Sequence, residues 1–133
     1  MFRRFLSVIK QRTDAVINIT TGGSPAMTVE DRPRGAVEFA PEMCSLNMGS
    51  MNFALFPAAV REREWKYGWE RAYLLVSEDF IFRNTFRDIA SILETLGEKG
   101  SRFEHECYDV GHLYNLAHFL DCGLVLLCHK PLV

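Results

Sequence analysis

Apolar residues open the chain at helical spacing. Phe2, Phe5, Leu6 and Ile9 share one face, with Arg3, Arg4, Lys10 and Arg12 between them, which predicts an amphipathic helix of roughly three turns. The pattern then changes. Ala15-Val16-Ile17-Asn18-Ile19-Thr20 is rich in β-branched residues and predicts a strand, stopped by the turn-forming Thr21-Gly22-Gly23-Ser24-Pro25. Thr28 followed by Asp31 resembles a capping box, with Asp in place of Glu or Gln, and predicts a short helix that tolerates Pro33 only in its first turns. A second strand is predicted over Met43–Asn47, ending in Gly49-Ser50. From Asn52 to Asp79 no period holds, and Phe53, Phe56, Trp65, Tyr67, Trp69 and Tyr73 predict a packed excursion.

Order returns at Asn84 or Thr85, either of which can cap a helix whose stripe is Phe86, Ile89, Ile92, Leu93 and Leu96, with Gly97 and Gly100 as stops. A third strand is predicted over Phe103–Tyr108, then a helix from His112 to Cys122 with Gly123 behind it, then a short apolar segment, Leu124–Cys128. Strands and helices alternate without an evident hairpin, which predicts a parallel α/β sheet. In such folds ligands bind where strands end, and each of the three strands ends in a polar loop bearing glycine. No G-x-G-x-x-G or G-x-x-x-x-G-K occurs, which argues against dinucleotide and P-loop sites.

Composition narrows the classes further. The 133 residues fit one domain, and 48% apolar with 24% charged residues is ordinary for a globular protein. A net charge of −2 without a basic stripe predicts no nucleic-acid partner. No apolar run is long enough for a membrane span, and Lys10 to Asp14 interrupt any signal-like core, so a cytoplasmic protein is expected. Cys44, Cys107, Cys122 and Cys128 show no C-x-x-C spacing and read as structural thiols of a reducing compartment. His105, His112 and His118 read as structural, and Trp65, Trp69 and Tyr73 as core or interface aromatics.

Three segments stand out at the strand ends: Asn18-Ile19-Thr20-Thr21-Gly22-Gly23-Ser24, then Pro41 to Phe53 (PEMCSLNMGSMNF), then Glu104 to Leu113 (EHECYDVGHL). Taken singly, the first is a common turn, Ser45 and Asn47 could simply tie down backbone, and Glu104 and Glu106 could face solvent. In their order and separation they resemble the β-keto acid cleavage enzyme family, also called the 3-keto-5-aminohexanoate cleavage family, over about residues 2 to 125. The resemblance implies part of a zinc-dependent TIM (β/α)8 barrel, with these segments as its third to fifth strands and the barrel not closed. It implies a retro-Claisen reaction in which a β-keto acid and acetyl-CoA give acetoacetate and a new CoA ester. It also implies a homo-oligomer.

Residue by residue, Thr20, Gly22 and Gly23 match the loop that holds the substrate carboxylate. Glycine lets backbone N–H groups approach an anion, and a hydroxyl adds a donor. Ser45 and Asn47 match the family's T/S-x-N pair, two donors on one strand face and the expected catalytic contribution of this chain. Glu106, or Glu104 one pleat away, matches the acidic residue that receives a substrate amino group in some members. The zinc ligands of the family, an H-x-H pair and a late carboxylate, have no match here: the histidines are His105, His112, His118 and His129. The ending from Leu126 to Val133 is what a frameshifted or shortened reading frame produces, and Met1 reads equally as an internal start. The expectation is a segment of the enzyme that is inactive alone. The alternative is a truncated remnant or interaction fragment that keeps subunit contacts through residues 52–79.

Overall fold

The computed structural model describes residues 2–24, 27–61 and 64–125. They divide into two compact units, one formed by the chain up to Gly49 together with Asn84 onward, the other by Ser50–Arg83. The larger unit holds α1 (Phe2–Arg12), β1 (Asn18–Thr20), α2 (Arg34–Phe39) and β2 (Met43–Asn47). The excursion follows with β3 (Met51–Asn52), α3 (Glu70–Val76) and β4 (Ile81–Phe82), and the larger unit resumes with α4 (Phe86–Gly97), β5 (Arg102–Glu106) and α5 (Val110–Asp121).

β1, β2 and β5 form a parallel three-stranded sheet with β2 in the middle. The expected α/β class with a parallel sheet is what the chain forms, and the sheet does not close into a barrel. Side chains alternate across it. Ile19, Cys44, Leu46 and Met48 take one face and join Ala36 of α2, Ile89, Ile92, Leu93 and Leu96 of α4, and Phe119 of α5 in one buried cluster. The opposite face carries Asn18 and Thr20, Ser45 and Asn47, Glu104 and Glu106.

Helix ends follow local chemistry. Thr85 caps α4 in a reciprocal box with Asp88, worth about 1 kcal/mol. Gly100 (φ +83°) and Gly123 (φ +72°) take the left-handed backbone expected behind α4 and α5. Leu124 and Val125 follow, while the rest of the apolar segment to Cys128 lies outside the described residues.

Several boundaries differ from the sequence expectation. β1 starts at Asn18, not Ala15, because side chains satisfy the preceding backbone: Ala15 N–H donates to Thr13 Oγ1 and Ile17 N–H to the Glu42 carboxylate. Thr28 and Asp31 bond reciprocally as expected, yet they close a turn, and the helix begins after Pro33. β5 stops at Glu106, since the Tyr108 N–H turns to His112 Nδ1. Helix α5 is capped by Asp109, whose carboxylate accepts from the His112 N–H. The helix α1 has the expected three turns, but Phe2 and Phe5 stay exposed.

The excursion is more regular than its sequence suggests. β3 and β4 pair antiparallel, where no hairpin was expected, and Phe53 packs against Phe80 and Phe82. Ser77 Oγ accepts from Leu55 N–H and donates to the Leu74 carbonyl, pinning the turn after α3. Tyr67, Trp69 and Tyr73 are not core: Trp69 is 62% exposed and the three rings pack on one another at the surface.

A parallel strand needs both edges paired and both faces covered. Here the outer edges of β1 and β5 are unpaired within the described sheet. A polypeptide of these 133 residues is therefore expected to self-associate or aggregate, running as broad or high-mass species on size-exclusion chromatography. A monodisperse monomer with a sharp urea transition would contradict this.

Candidate functional site

The polar face brings the expected site residues together in rows. Thr20, Ser45 and Glu104 are direct neighbours across the three strands, and Asn47 and Glu106 form the next row toward the strand ends. Both glutamates thus share one face with Ser45 and Asn47, and they differ in depth. Glu104 accepts from Asn18 Nδ2 at 2.6 Å, across the width of the sheet. Glu106 lies nearer the loops, with the Tyr108 hydroxyl at 3.5 Å. The Glu106 carboxylate raises the Tyr108 pKa above the usual phenol range, so the phenol keeps its proton and acts as a donor.

The loop after β1 is organised by its two threonines. Thr20 Oγ1 accepts from the Gly22 N–H at 3.0 Å, which leaves the hydroxyl proton free to point away from the loop. Gly22 N–H is thereby used internally. Thr21 is buried, and both its N–H (3.1 Å) and its hydroxyl (2.8 Å) donate to the Ser45 carbonyl, fastening the loop to β2. Gly23 lies against a side chain. A Cβ there would meet Arg32 Cγ at 2.7 Å and Met27 Sδ at 2.9 Å, so only glycine fits.

On the central strand, Ser45 and Asn47 are each only 9% exposed. Asn47 Oδ1 is buried and has no hydrogen-bond partner among the described residues. The Asn47–Met48 peptide is held on both sides: Asn84 Nδ2 donates to the Asn47 carbonyl (2.7 Å), and the Met48 N–H donates to the Glu106 carbonyl (3.0 Å). Beyond it Asn115 Nδ2 donates to the Met48 carbonyl at 2.8 Å. A Cβ on Gly49 would stand 2.5 Å from the His112 ring, so this glycine lets α5 close onto the end of β2.

His105 and His112 pack within the larger unit. His112 is buried and accepts from the Tyr108 N–H, and burial lowers the His105 pKa, keeping that ring neutral against Phe103 and Met48 Sδ. Cys44 is a buried thiol whose pKa burial raises, and Cys107 is half-buried. Among the described residues no three His, Cys, Asp or Glu side chains gather as a metal site would require. The described residues therefore hold no ligand set for the zinc that the resemblance implies.

Asn18, Thr21, Arg32 and Asn84 were not singled out as site residues. Asn18 had a signal, being two residues before Thr20 and so on the same strand face. Arg32 and Asn84 had none, because their importance rests on partners far along the chain.

Among the described residues no helix is long and apolar enough to cross a membrane. The family model for beta-keto acid cleavage enzyme matches residues 1–133. The curated 3,5-dioxohexanoate:acetyl-CoA acetone transferase of Paraburkholderia graminis is 59% identical over 124 residues, 93% of this chain and 40% of that protein. The chain thus spans about two fifths of the length of that relative. With the whole chain matched and its three motifs on one sheet face, this chain belongs to the β-keto acid cleavage enzyme family.

Proposed function

We propose that this chain supplies substrate-contacting loops to a zinc-dependent β-keto acid cleavage enzyme, with β1, β2 and β5 as the third, fourth and fifth strands of its TIM barrel. The observation that supports this most is the polar face: Thr20, Ser45, Asn47, Glu104 and Glu106 line one side of three parallel strands, with Thr20, Asn47 and Glu106 as the last residues of theirs. The reaction joins a β-keto acid with acetyl-CoA as co-substrate and yields acetoacetate and a CoA ester. The relative's name, with 3,5-dioxohexanoate and acetyl-CoA, fits that substrate class. The proposed setting is the cytoplasm.

Within this reading the Thr20 hydroxyl and the Gly23 backbone, with Gly22 shaping the turn, hold the substrate carboxylate. Gly22 N–H is already engaged by Thr20, so the Thr20 hydroxyl proton and the Gly23 N–H are the donors offered to the anion. Ser45 and Asn47 donate toward oxygen atoms on which negative charge develops. Glu106 is the acidic contact for a substrate amino or hydroxyl group, since Asn18 occupies Glu104 one row deeper. Zinc acts as a Lewis acid in the family, and the described residues of this chain hold no ligand set for it.

A graft tests the reading. The matched 124-residue stretch of the Paraburkholderia graminis relative is replaced by the present sequence, and acetyl-CoA-dependent consumption of 3,5-dioxohexanoate is followed. The chimera is expected to fold and turn over. A folded but inactive chimera would refute the reading, and so would failure to fold, because the segment is proposed to complete the same barrel.

The second reading, a non-catalytic remnant that keeps subunit contacts through residues 52–79, draws on the exposed stack of Tyr67 and Trp69, rings 6.1 Å apart and nearly parallel. The same patch would serve a homo-oligomer of the whole enzyme.

A further inference from the structure

We propose that Arg32 and Asn84 are positioning residues for the substrate site, bracing the loop after β1 against the end of β2. The proposal rests on the functional reading above, because the brace matters only if Gly23 and Asn47 touch substrate.

The brace is built from buried polar groups. Asn84 is 3% exposed and uses both ends of its amide: Oδ1 accepts from Arg32 Nη2, and Nδ2 donates to the Asn47 carbonyl at 2.7 Å. This settles which way the amide points, since a flip would set its NH2 against the guanidinium and its oxygen against a carbonyl. The Asn47 carbonyl is thereby held on one side of its peptide while the following N–H is held by Glu106 on the other. The plane from which the Asn47 side chain departs has little freedom left.

At its other end the brace reaches the proposed carboxylate loop. Arg32 is 8% exposed, its N–H donates to the Thr28 carbonyl at 3.2 Å, and its stem lies against Gly23. A single side chain thus touches the loop that would hold the carboxylate and, through Asn84, the strand end that carries Asn47. A buried guanidinium is a poor device for stability, since apolar residues of similar volume commonly do as well or better. Its fork is well suited to fixing geometry between two elements.

In the chimera described above, kcat and KM are measured for Asn84→Asp, Arg32→Lys and Arg32→Met, per folded active site, beside thermal melts. Asn84→Asp keeps the acceptor for Arg32 and removes the donor to Asn47, so kcat is expected to fall on the order of 10–100-fold, the usual effect of losing a residue that orients a reacting group. KM for acetyl-CoA should stay put. Arg32→Met is expected to raise KM for the keto acid, with Arg32→Lys restoring part of the loss. Should Arg32→Met fail to fold, Arg32→Lys and Asn84→Asp decide. A merely structural role would lower melting midpoints and leave both constants unchanged, and that result overturns the brace. An inactive parent chimera overturns the functional reading and takes the brace's role with it.

Discussion

Asn47→Ala in the active chimera is expected to lower kcat by about 10²–10³-fold without loss of thermal stability. The first half follows from chemistry. Removing one pre-positioned donor aimed at developing negative charge typically costs about 2.7–4 kcal/mol of transition-state stabilisation. The second half follows from this structure. Asn47 Oδ1 is buried with no partner among the described residues, and leaving a buried acceptor unsatisfied costs about 1–3 kcal/mol. Alanine removes that cost, which offsets the packing that the longer side chain provides. Steady-state kinetics beside a melting curve separate the outcomes. A lowered midpoint with unchanged kcat would make Asn47 a structural residue and dismiss its catalytic role. Ser45, in the row below, is expected to follow the same direction, since its neighbours Thr20 and Glu104 place it in the same lining.

The polypeptide of these 133 residues is expected to show no acetyl-CoA-dependent cleavage of β-keto acids. The motive is compositional and geometric together. Its histidines include no H-x-H pair, and the described residues gather no three metal-ligating side chains. The described parallel sheet also has three strands where a closed barrel that encloses a substrate and excludes water has eight. Turnover assays with added zinc, together with metal content of the purified chain, decide the matter. Zinc-dependent turnover by this chain alone would show that it assembles a site from its own residues or from a second copy.

What could be read from the sequence was whatever depends on near neighbours. β2 appears over Met43–Asn47, where a strand was expected ahead of Gly49-Ser50, and α4 begins at the Thr85 cap. The face shared by Ser45 and Asn47, and by Glu104 and Glu106, follows from a period of two. Errors came where side chains compete with backbone pairing: Glu42 and Thr13 satisfy the residues before β1, and Asp109 starts α5 two residues before His112. For the aromatic excursion the sequence left core and interface open, because aromatic residues pack on each other at a surface as well as in a core.

The site shows the same division. Motif order in the sequence was enough to name the family and to single out Thr20, Gly22, Gly23, Ser45, Asn47, Glu104 and Glu106. Only the tertiary structure decided that Asn18 takes Glu104 and leaves Glu106 nearer the loops, that Thr20 uses its lone pair on Gly22, and that Arg32 and Asn84 join two loops beneath them. Those hydrogen bonds join residues as far apart as Asn18 and Glu104. A local pattern carries no information about such pairs, because strand order and register, not propensity, bring them within hydrogen-bond reach.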